Sequence, residues 1–592
     1  MDAIRRRGTG TDRGSTNDLS ATGSYFLDQF RCLRRGATRT DRFDAPACLI
    51  SVVSVLSVLS ISAQSAITLR DAAPDSGIAF VLENSPTPQK HLVETIPGGL
   101  AAFDYDGDGL PDIYFTNGAL LPSLQKAEPK HWNRLYRNLG GLRFSDVTEK
   151  AGLAGAGYSM GAAAGDFDND GNVDLFVAGV RHNLMYRNRG DGTFEDVTAR
   201  AGIHSRVWSV AGGWFDYDVD GRLDLFVVNY VHWDPEEDRF CGDQPRGIRV
   251  YCHPRYFQGL PNTLYRNKGD GTFEDVSEKT GIARHSGKGM SVAFADYDED
   301  GRVDVFVTND KTPNFLFTNR SDGTFAEVAL TAGAALTDLG KPVSSMGADF
   351  RDYDNDGRPD IVVTALASET FPLFRFGGTG FRDATFSSGL AALTMKLSGW
   401  SNGLVDLNND GWKDLFTANA HVNDRIEDFE RAAYRQANSV FLNDSGRFAD
   451  VSAGAGAAFQ TARAHRGAAF ADFDRDGLVD IVATSLGDRP ELWANETTNA
   501  GRWITFKLQG RKSNRDGIGA IIRISCGTGG PGCLQTNQMT SAVGYASSSH
   551  DGVHFGLRDR TSIDKVEIRW PSGATQTLEK VKADQILKVT EP

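Results

Sequence analysis

Carboxylates recur in this chain at a spacing that builds cation sites. In seven segments Asp stands at positions 1, 3, 5 and 9 of a nine-residue loop with Gly at position 6, one Asn replacing an Asp. The sets are Asp104, Asp106, Asp108 and Asp112; Asp166, Asp168, Asp170 and Asp174; Asp216, Asp218, Asp220 and Asp224; Asp296, Asp298, Asp300 and Asp304; Asp352, Asp354, Asp356 and Asp360; Asp406, Asn408, Asp410 and Asp414; and Asp472, Asp474, Asp476 and Asp480. Oxygen donors in a flexible loop favour Ca²⁺ over Mg²⁺, which keeps a rigid octahedron and its waters, and the absence of His and Cys disfavours Zn²⁺. Positions 1, 3 and 5 followed by Gly match the first half of an EF-hand loop, without its helices. Left bare, the carboxylates of one loop repel by amounts comparable to the stability of a domain. Up to seven Ca²⁺ are therefore expected, with the sixth held more weakly because Asn408 offers a neutral oxygen.

Charge agrees. The formal net charge is −14, and residues 1–63 carry nine Arg against six Asp, which leaves −17 on the remainder. Seven Ca²⁺ would bring that to about −3. No basic patch stands out, so nucleic acid is not an expected partner.

The elements around each loop read as strands. A small, apolar stretch precedes it and a β-rich one follows, as in Leu175-Phe176-Val177 and Val305-Phe306-Val307. A second pattern recurs between loops, NLMYRNRGDGTFEDVT at 183–198 and NTLYRNKGDGTFEDVS at 262–277, a hairpin around Asp-Gly. Four antiparallel strands repeated seven times predict an all-β, seven-bladed β-propeller over 67–500. The last repeat lacks its fourth strand, and residues 67–78 carry the missing pattern, so the N-terminal strand is expected to complete the final blade.

With these motifs the chain resembles the FG-GAP (VCBS-type) repeat propellers of integrin α-chain heads, and more closely the cartilage acidic protein family and its bacterial relatives. The resemblance implies that the loop Asp and Asn side chains, with a backbone carbonyl at position 7, bind Ca²⁺. From 501 to 592 the Asp loops stop and alternating strands follow. Ser513-Asn514-Arg515, Ile518-Gly519-Ala520, His554-Phe555-Gly556-Leu557 and Trp570-Pro571-Ser572-Gly573 look like the ASPIC/UnbV domain, expected as a separate small β-sandwich-like unit.

Residues 46–66 read as a secretory signal, with an uncleaved anchor as the alternative and membrane contact expected only in that case; 1–45 read as disordered or as a mis-assigned start. A secreted, periplasmic or cell-surface location follows. In such a compartment Cys241 with Cys252, and Cys526 with Cys533, are expected to form local disulfides.

Strand parity puts the long insertions, 230–262 and 419–438, on the face opposite the Asp loops, where length alone suggests function. His182, His232, His253 and His421 lie on or near them, with Asp234, Glu236 and Glu427 beside two. Six residues before each loop stand Gly98, Met160, Val210, Met290, Met346, Trp400 and Arg466. These either ring the channel mouth or pack blade against blade, the commoner use of Met and Trp. His232, Trp233, His421, Met160, Met290, Met346, Trp400 and Arg466 are the candidate ligand-face residues. No nucleophile elbow, zinc-binding His pair, P-loop or dinucleotide fingerprint is present. The sequence reads as a non-enzymatic module binding an extracellular protein or glycan, with a polysaccharide lyase or hydrolase and a surface scaffold as alternatives.

Overall fold

The computed structural model describes residues 66–527 and 533–592. The expected leader lies outside these residues, and no helix among them is long and apolar enough to cross a membrane. Among them stand seven antiparallel sheets of the repeating four-strand kind, each opening on a strand that enters an Asp loop. The first strands are Leu100–Phe103, Tyr158–Gly165, Ser209–Phe215, Gly289–Ala295, Ala348–Arg351, Gly399–Val405 and His465–Ala471. They neighbour one another in closed cyclic order, the last beside the first, as in a β-propeller. Leu69–Asp71 supplies the outer strand of the final sheet, pairing Leu69 with Asn495 and Asp71 with Trp493.

One side chain of the Tyr-Arg-Asn motif links neighbouring sheets. The Asn138 Nδ2 donates to the Phe473 carbonyl, Asn188 to Tyr105, Asn267 to Phe167, Asn319 to Tyr217, Asn443 to Tyr353 and Asn495 to Leu407, all at 2.7–2.8 Å. Each of these carbonyls belongs to position 2 of the preceding Asp loop. In the fifth sheet Phe376 takes the Asn position and meets Tyr297 edge-on at 5.2 Å instead. Three of these Asn residues, Asn319, Asn443 and Asn495, also head glycosylation sequons. All three are buried, so a glycan there would break the sheet-to-sheet bond.

The C-terminal unit consists of a three-stranded sheet (Arg502–Gln509, Val553–Arg558, Gln585–Thr590) and a four-stranded one (Ile521–Ser525, Leu534–Gln538, Ser562–Arg569, Thr575–Lys582). Ile504, Phe506, Ile522, Phe555 and Ile568 share its core. Its turn at 511–513 closes on Glu591, whose carboxylate accepts from the backbone N–H groups of Arg511, Lys512 and Ser513 at 2.7–2.9 Å. Against the opposing pull of burial, the Ser572 hydroxyl and then those backbone bonds hold the carboxyl down to about 2.

The expectation of a separate unit is corrected. Ser548–His550 runs parallel to Leu100–Phe103 as a fifth strand of the first sheet. The preceding turn fills the centre of the ring: Gly544 N donates to Ala348 O (2.9 Å), Tyr545 N to the Ser401 hydroxyl (3.0 Å) and Ala162 N to Ala546 O (3.2 Å). The small residues of the first strands make this possible. A Cβ on Gly99 would stand 2.1 Å from Ala546 O, and one on Gly467 would stand 2.8 Å from the Ser547 hydroxyl.

Candidate functional site

Each Asp loop is a tight hairpin that points its carboxylates inward. Positions 4 and 6 both take left-handed backbone; Gly serves at 6 throughout, whereas position 4 holds Gly107, Asn169, Val219, Glu299, Asn355, Asn409 and Arg475. The position 1 carboxylate accepts loop N–H groups, as when Asp166 Oδ2 takes Gly171 N at 2.7 Å. Position 9 clamps the loop to the sheet. Asp112 accepts Tyr105 N (2.9 Å) and Asn138 N (2.7 Å), and the position 9 Asp of every other repeat makes the equivalent pair of bonds.

Donor atoms of Asp104, Asp106 and Asp108, of Asp166, Asp168 and Asp174, of Asp216, Asp218 and Asp224, of Asp296, Asp298 and Asp300, and of Asp352, Asp354 and Asp356 all fall within 4.8 Å of one another. Four buried oxygens of the loop carboxylates have no hydrogen-bond partner: Oδ1 of Asp106, Asp218, Asp296 and Asp474. Oxygen-only donors with orphaned lone pairs fit a Ca²⁺ ion. Arg137, Arg187 and Arg266 from the Tyr-Arg-Asn motif, and Arg375 from the equivalent Phe374-Arg375-Phe376, brace the outer oxygens of positions 3 and 5 in four loops.

Burial, opposed by the loop N–H bonds and reinforced by neighbouring carboxylates, raises these acids. Asp112 and Asp406 are pushed up to about 8, Asp166, Asp216 and Asp472 to about 7, and Asp352 to about 6. A bound cation reverses this logic. In chelator, groups whose folded pKa exceeds the unfolded value near 4 contribute stability that is full at low pH and lost as pH rises through about 6–8. The chelated protein is therefore expected to melt higher at pH 5.5 than at pH 8, and saturating Ca²⁺ to abolish or invert that trend in differential scanning calorimetry. The same slope with and without Ca²⁺ would mean that the loops hold no ion.

The loop face is covered. Asp516 Oδ2 accepts Asp166 N (2.8 Å), Asp551 Oδ2 accepts Asp472 N (3.1 Å), His554 Nε2 meets Asn409 Oδ1 (2.8 Å) and Arg523 meets Glu299 (2.8 Å). Arg569 pairs with Asp296 at the fourth loop. The sixth loop is the most enclosed: Asn408 and Asn409 are each 1% exposed.

The opposite face carries the second-to-third strand connections. A cavity of about 370 Å³ opens there between the two insertions, walled by Tyr251, His253, Asp310, Lys311, Glu369 and His421 among others. Tyr230 donates its hydroxyl to Asp310 at 2.7 Å, and Glu369 accepts Ser344 N at 2.8 Å while pairing with Lys311. Burial raises Asp310 to about 6, against the Tyr230 bond. His253 and His421 accept backbone N–H groups at Nδ1 (3.1 and 3.0 Å), and burial lowers both, so each is neutral and carries its proton on Nε2.

A family model described as an FG-GAP-like repeat matches residues 104–177, 166–227, 256–307, 296–363, 352–417 and 406–483, together more than half of the chain. The chain belongs to the FG-GAP-like repeat family. A second model, described as ASPIC and UnbV, matches residues 510–592. Cartilage acidic protein 1 of Homo sapiens is 23% identical over 356 residues, 56% of this chain and 48% of that protein. Its Xenopus tropicalis counterpart is also 23% identical, over 55% and 48%. The chain spans about half the length of these curated relatives. Among solved structures, an Agrocybe aegerita lectin recognising non-reducing terminal N-acetylglucosamine aligns at 15% identity and TM-score 0.36, over 67% of this chain and 87% of that one. A Bacillus licheniformis rhamnogalacturonan lyase aligns at 12% and TM-score 0.30, over 84% and 91%.

Within this FG-GAP-like frame the candidate ligand-face residues separate. His421 lines the cavity, and so does Met346. The side chain of His232 is exposed, with only its backbone tied to Gln258 O at 2.8 Å. Trp233 packs against Trp208 and His91, with ring centroids 5.8 Å away in each case. Met160, Met290 and Trp400 are fully buried in the cluster that surrounds Tyr545, which removes them from the open face. Arg466 is also buried, its guanidinium 3.9 Å above the Trp400 ring and bonded to Thr95 O at 2.6 Å; burial lowers it to about 10. Cys241 and Cys252 are disulfide-bonded. The second expected bridge is corrected: Cys526 and Cys533 stand as free thiols, each turned toward the other's backbone carbonyl.

Sequence reasoning missed Asp310, Lys311 and Glu369. A signal existed: Asp310 follows the second strand of its sheet where other repeats carry Val180, Tyr230, Ala420 and Leu486.

Proposed function

We propose that the protein is a secreted or surface-exposed, calcium-loaded propeller that binds an extracellular protein or glycan through the face opposite the Asp loops. The observation that carries this reading is the occupation of the loop face by the C-terminal unit, which leaves the insertion face as the open one. The Cys241–Cys252 disulfide supports an oxidising compartment. Exposed aromatics support recognition: Phe240 is 42% exposed, and Tyr256 and Phe429 are 44%. Arg249 lies 5.5 Å from the Phe240 ring and Arg255 4.9 Å from Tyr256, which orders both.

An array of glycans and matrix proteins tests the reading. Binding by the wild type is expected to be lost in the Phe240→Ala/Tyr256→Ala/Phe429→Ala variant at an unchanged melting temperature; undiminished binding would remove the face assignment. The lyase or hydrolase alternative gains from one observation, the Asp310, Glu369 and His421 lining of the cavity. Cleavage of a polysaccharide panel, abolished by Asp310→Asn, is the outcome that selects it.

A further inference from the structure

The cavity on the insertion face has its chemistry fixed in advance. Its lining combines apolar Leu92, Ile96, Met346 and Leu366 with polar Asp310, Ser344, Glu369, His253 and His421. The Ser344 hydroxyl is the informative atom. The residue is 1% exposed, and its Oγ has no hydrogen-bond partner although it lines the cavity. A buried hydroxyl left unpaired is destabilising, a cost that a ligand hydroxyl or amine would remove.

Charge narrows the ligand. Asp310, Glu369 and Glu430 face Lys311, whose ammonium is already paired with Glu369. Among the lining side chains an anionic ligand such as a phosphate or a uronate would meet three carboxylates against one ammonium, while Lys288 and Arg466 act on Asp310 and His421 from outside the lining. Neutral His Nε2–H groups, carboxylate acceptors and apolar lining residues suit a compact molecule with many hydroxyls and a nonpolar face. The volume, about 370 Å³, lies in the range of small-molecule pockets and far below a protein footprint. Tyr256 and Phe429, both exposed, stand in sequence close to the lining residues Pro254 and Glu430.

We propose that this cavity receives one terminal sugar residue, neutral or amino rather than uronic, whose hydroxyls are read by Asp310, Glu369 and Ser344. The inference rests on the insertion face being the recognition surface and assigns its deepest subsite.

Calorimetry and saturation-transfer NMR on the full calcium-loaded protein test it, with the methyl glycosides of glucose, galactose, mannose, N-acetylglucosamine, glucosamine and glucuronic acid as probes. At least one neutral or amino glycoside is expected to bind, with the glucuronide about 10-fold weaker or absent. Asp310→Asn is expected to weaken binding about 10-fold or more and Ser344→Ala by about 5-fold. Leu366→Trp, at a partly exposed wall position, is expected to block the cavity without lowering the melting temperature. Absence of binding by every probe, preference for the glucuronide, or indifference to Ser344→Ala and Leu366→Trp would each overturn the proposal. Array binding that depends on Tyr256 and Phe429 but not on Ser344 or Leu366 would sink this subsite and leave the face assignment standing. Array binding independent of all four would remove both.

Discussion

Excess EGTA at pH 8 is expected to lower the melting temperature by about 15–20 °C, and added Ca²⁺, but not Mg²⁺, to restore it. A ligand at 100 times its dissociation constant stabilises the folded state by about 2.7 kcal/mol per site, so seven such sites contribute about 19 kcal/mol. Unfolding entropy scales with chain length, and for a folded unit of this size each kcal/mol shifts the midpoint by about 1 °C. The effect is large because the loops lie between first and second strands in all seven sheets, and the carbonyl at position 2 of most of them accepts the Asn bond from the next sheet. Loss of a bound ion would release the loop and the junction together. Preference for Ca²⁺ follows from the oxygen-only, flexible donor set.

Tyr545→Ala is expected to destabilise the protein by about 3–5 kcal/mol. Its ring is fully buried at the centre, edge-on to Trp400 at 5.0 Å, and its hydroxyl donates to Ile96 O at 2.7 Å. That bond joins the C-terminal turn to the N-terminal segment across the channel. Gly99→Val is expected to act from the other side: its Cβ would stand 2.1 Å from Ala546 O and 2.6–2.7 Å from Gly161 Cα and Met160 O, so both the turn and the neighbouring first strand must shift. Limited proteolysis should then cut between the last propeller strand, Glu491–Asn495, and Arg502, a segment expected to resist cleavage in the wild type. Gly454→Ala is the control, since nothing lies within 4 Å of its added Cβ. Intact chains and unchanged melting in both Tyr545→Ala and Gly99→Val would show that the turn is not needed to hold the two units together.

The Asp loops and their strands were legible because coordination demands particular side chains at fixed spacing, and a spacing repeated seven times leaves little room for chance. The inserted turn was not legible. Its signature was the run of small residues in and just before the first strands, such as Gly99, Gly161 and Gly347, and small residues record only that something comes close, not what. The cover over the loop face depends on single pairs such as Asp516 with Asp166 and Arg569 with Asp296, which join residues hundreds of positions apart without any local pattern. Likewise Asp310 and His421 meet in one cavity only because two distant sheets present their connections to the same face. Histidines in long loops drew attention to His232 and His421 alike; burial and the Asn423 bond distinguish the second. The sixth loop, expected to be weak on account of Asn408, is also the loop most deeply enclosed by the C-terminal unit. Its ion should therefore be the slowest to exchange, whatever its affinity.

The central claim is that the seven loops are calcium staples on a covered rim. Metal content by inductively coupled plasma mass spectrometry, on protein equilibrated with micromolar Ca²⁺ and desalted, tests it most directly. Several Ca²⁺ per chain, approaching one per loop, is the result expected. A calcium content below one per chain, in protein that is folded and monodisperse, would contradict it.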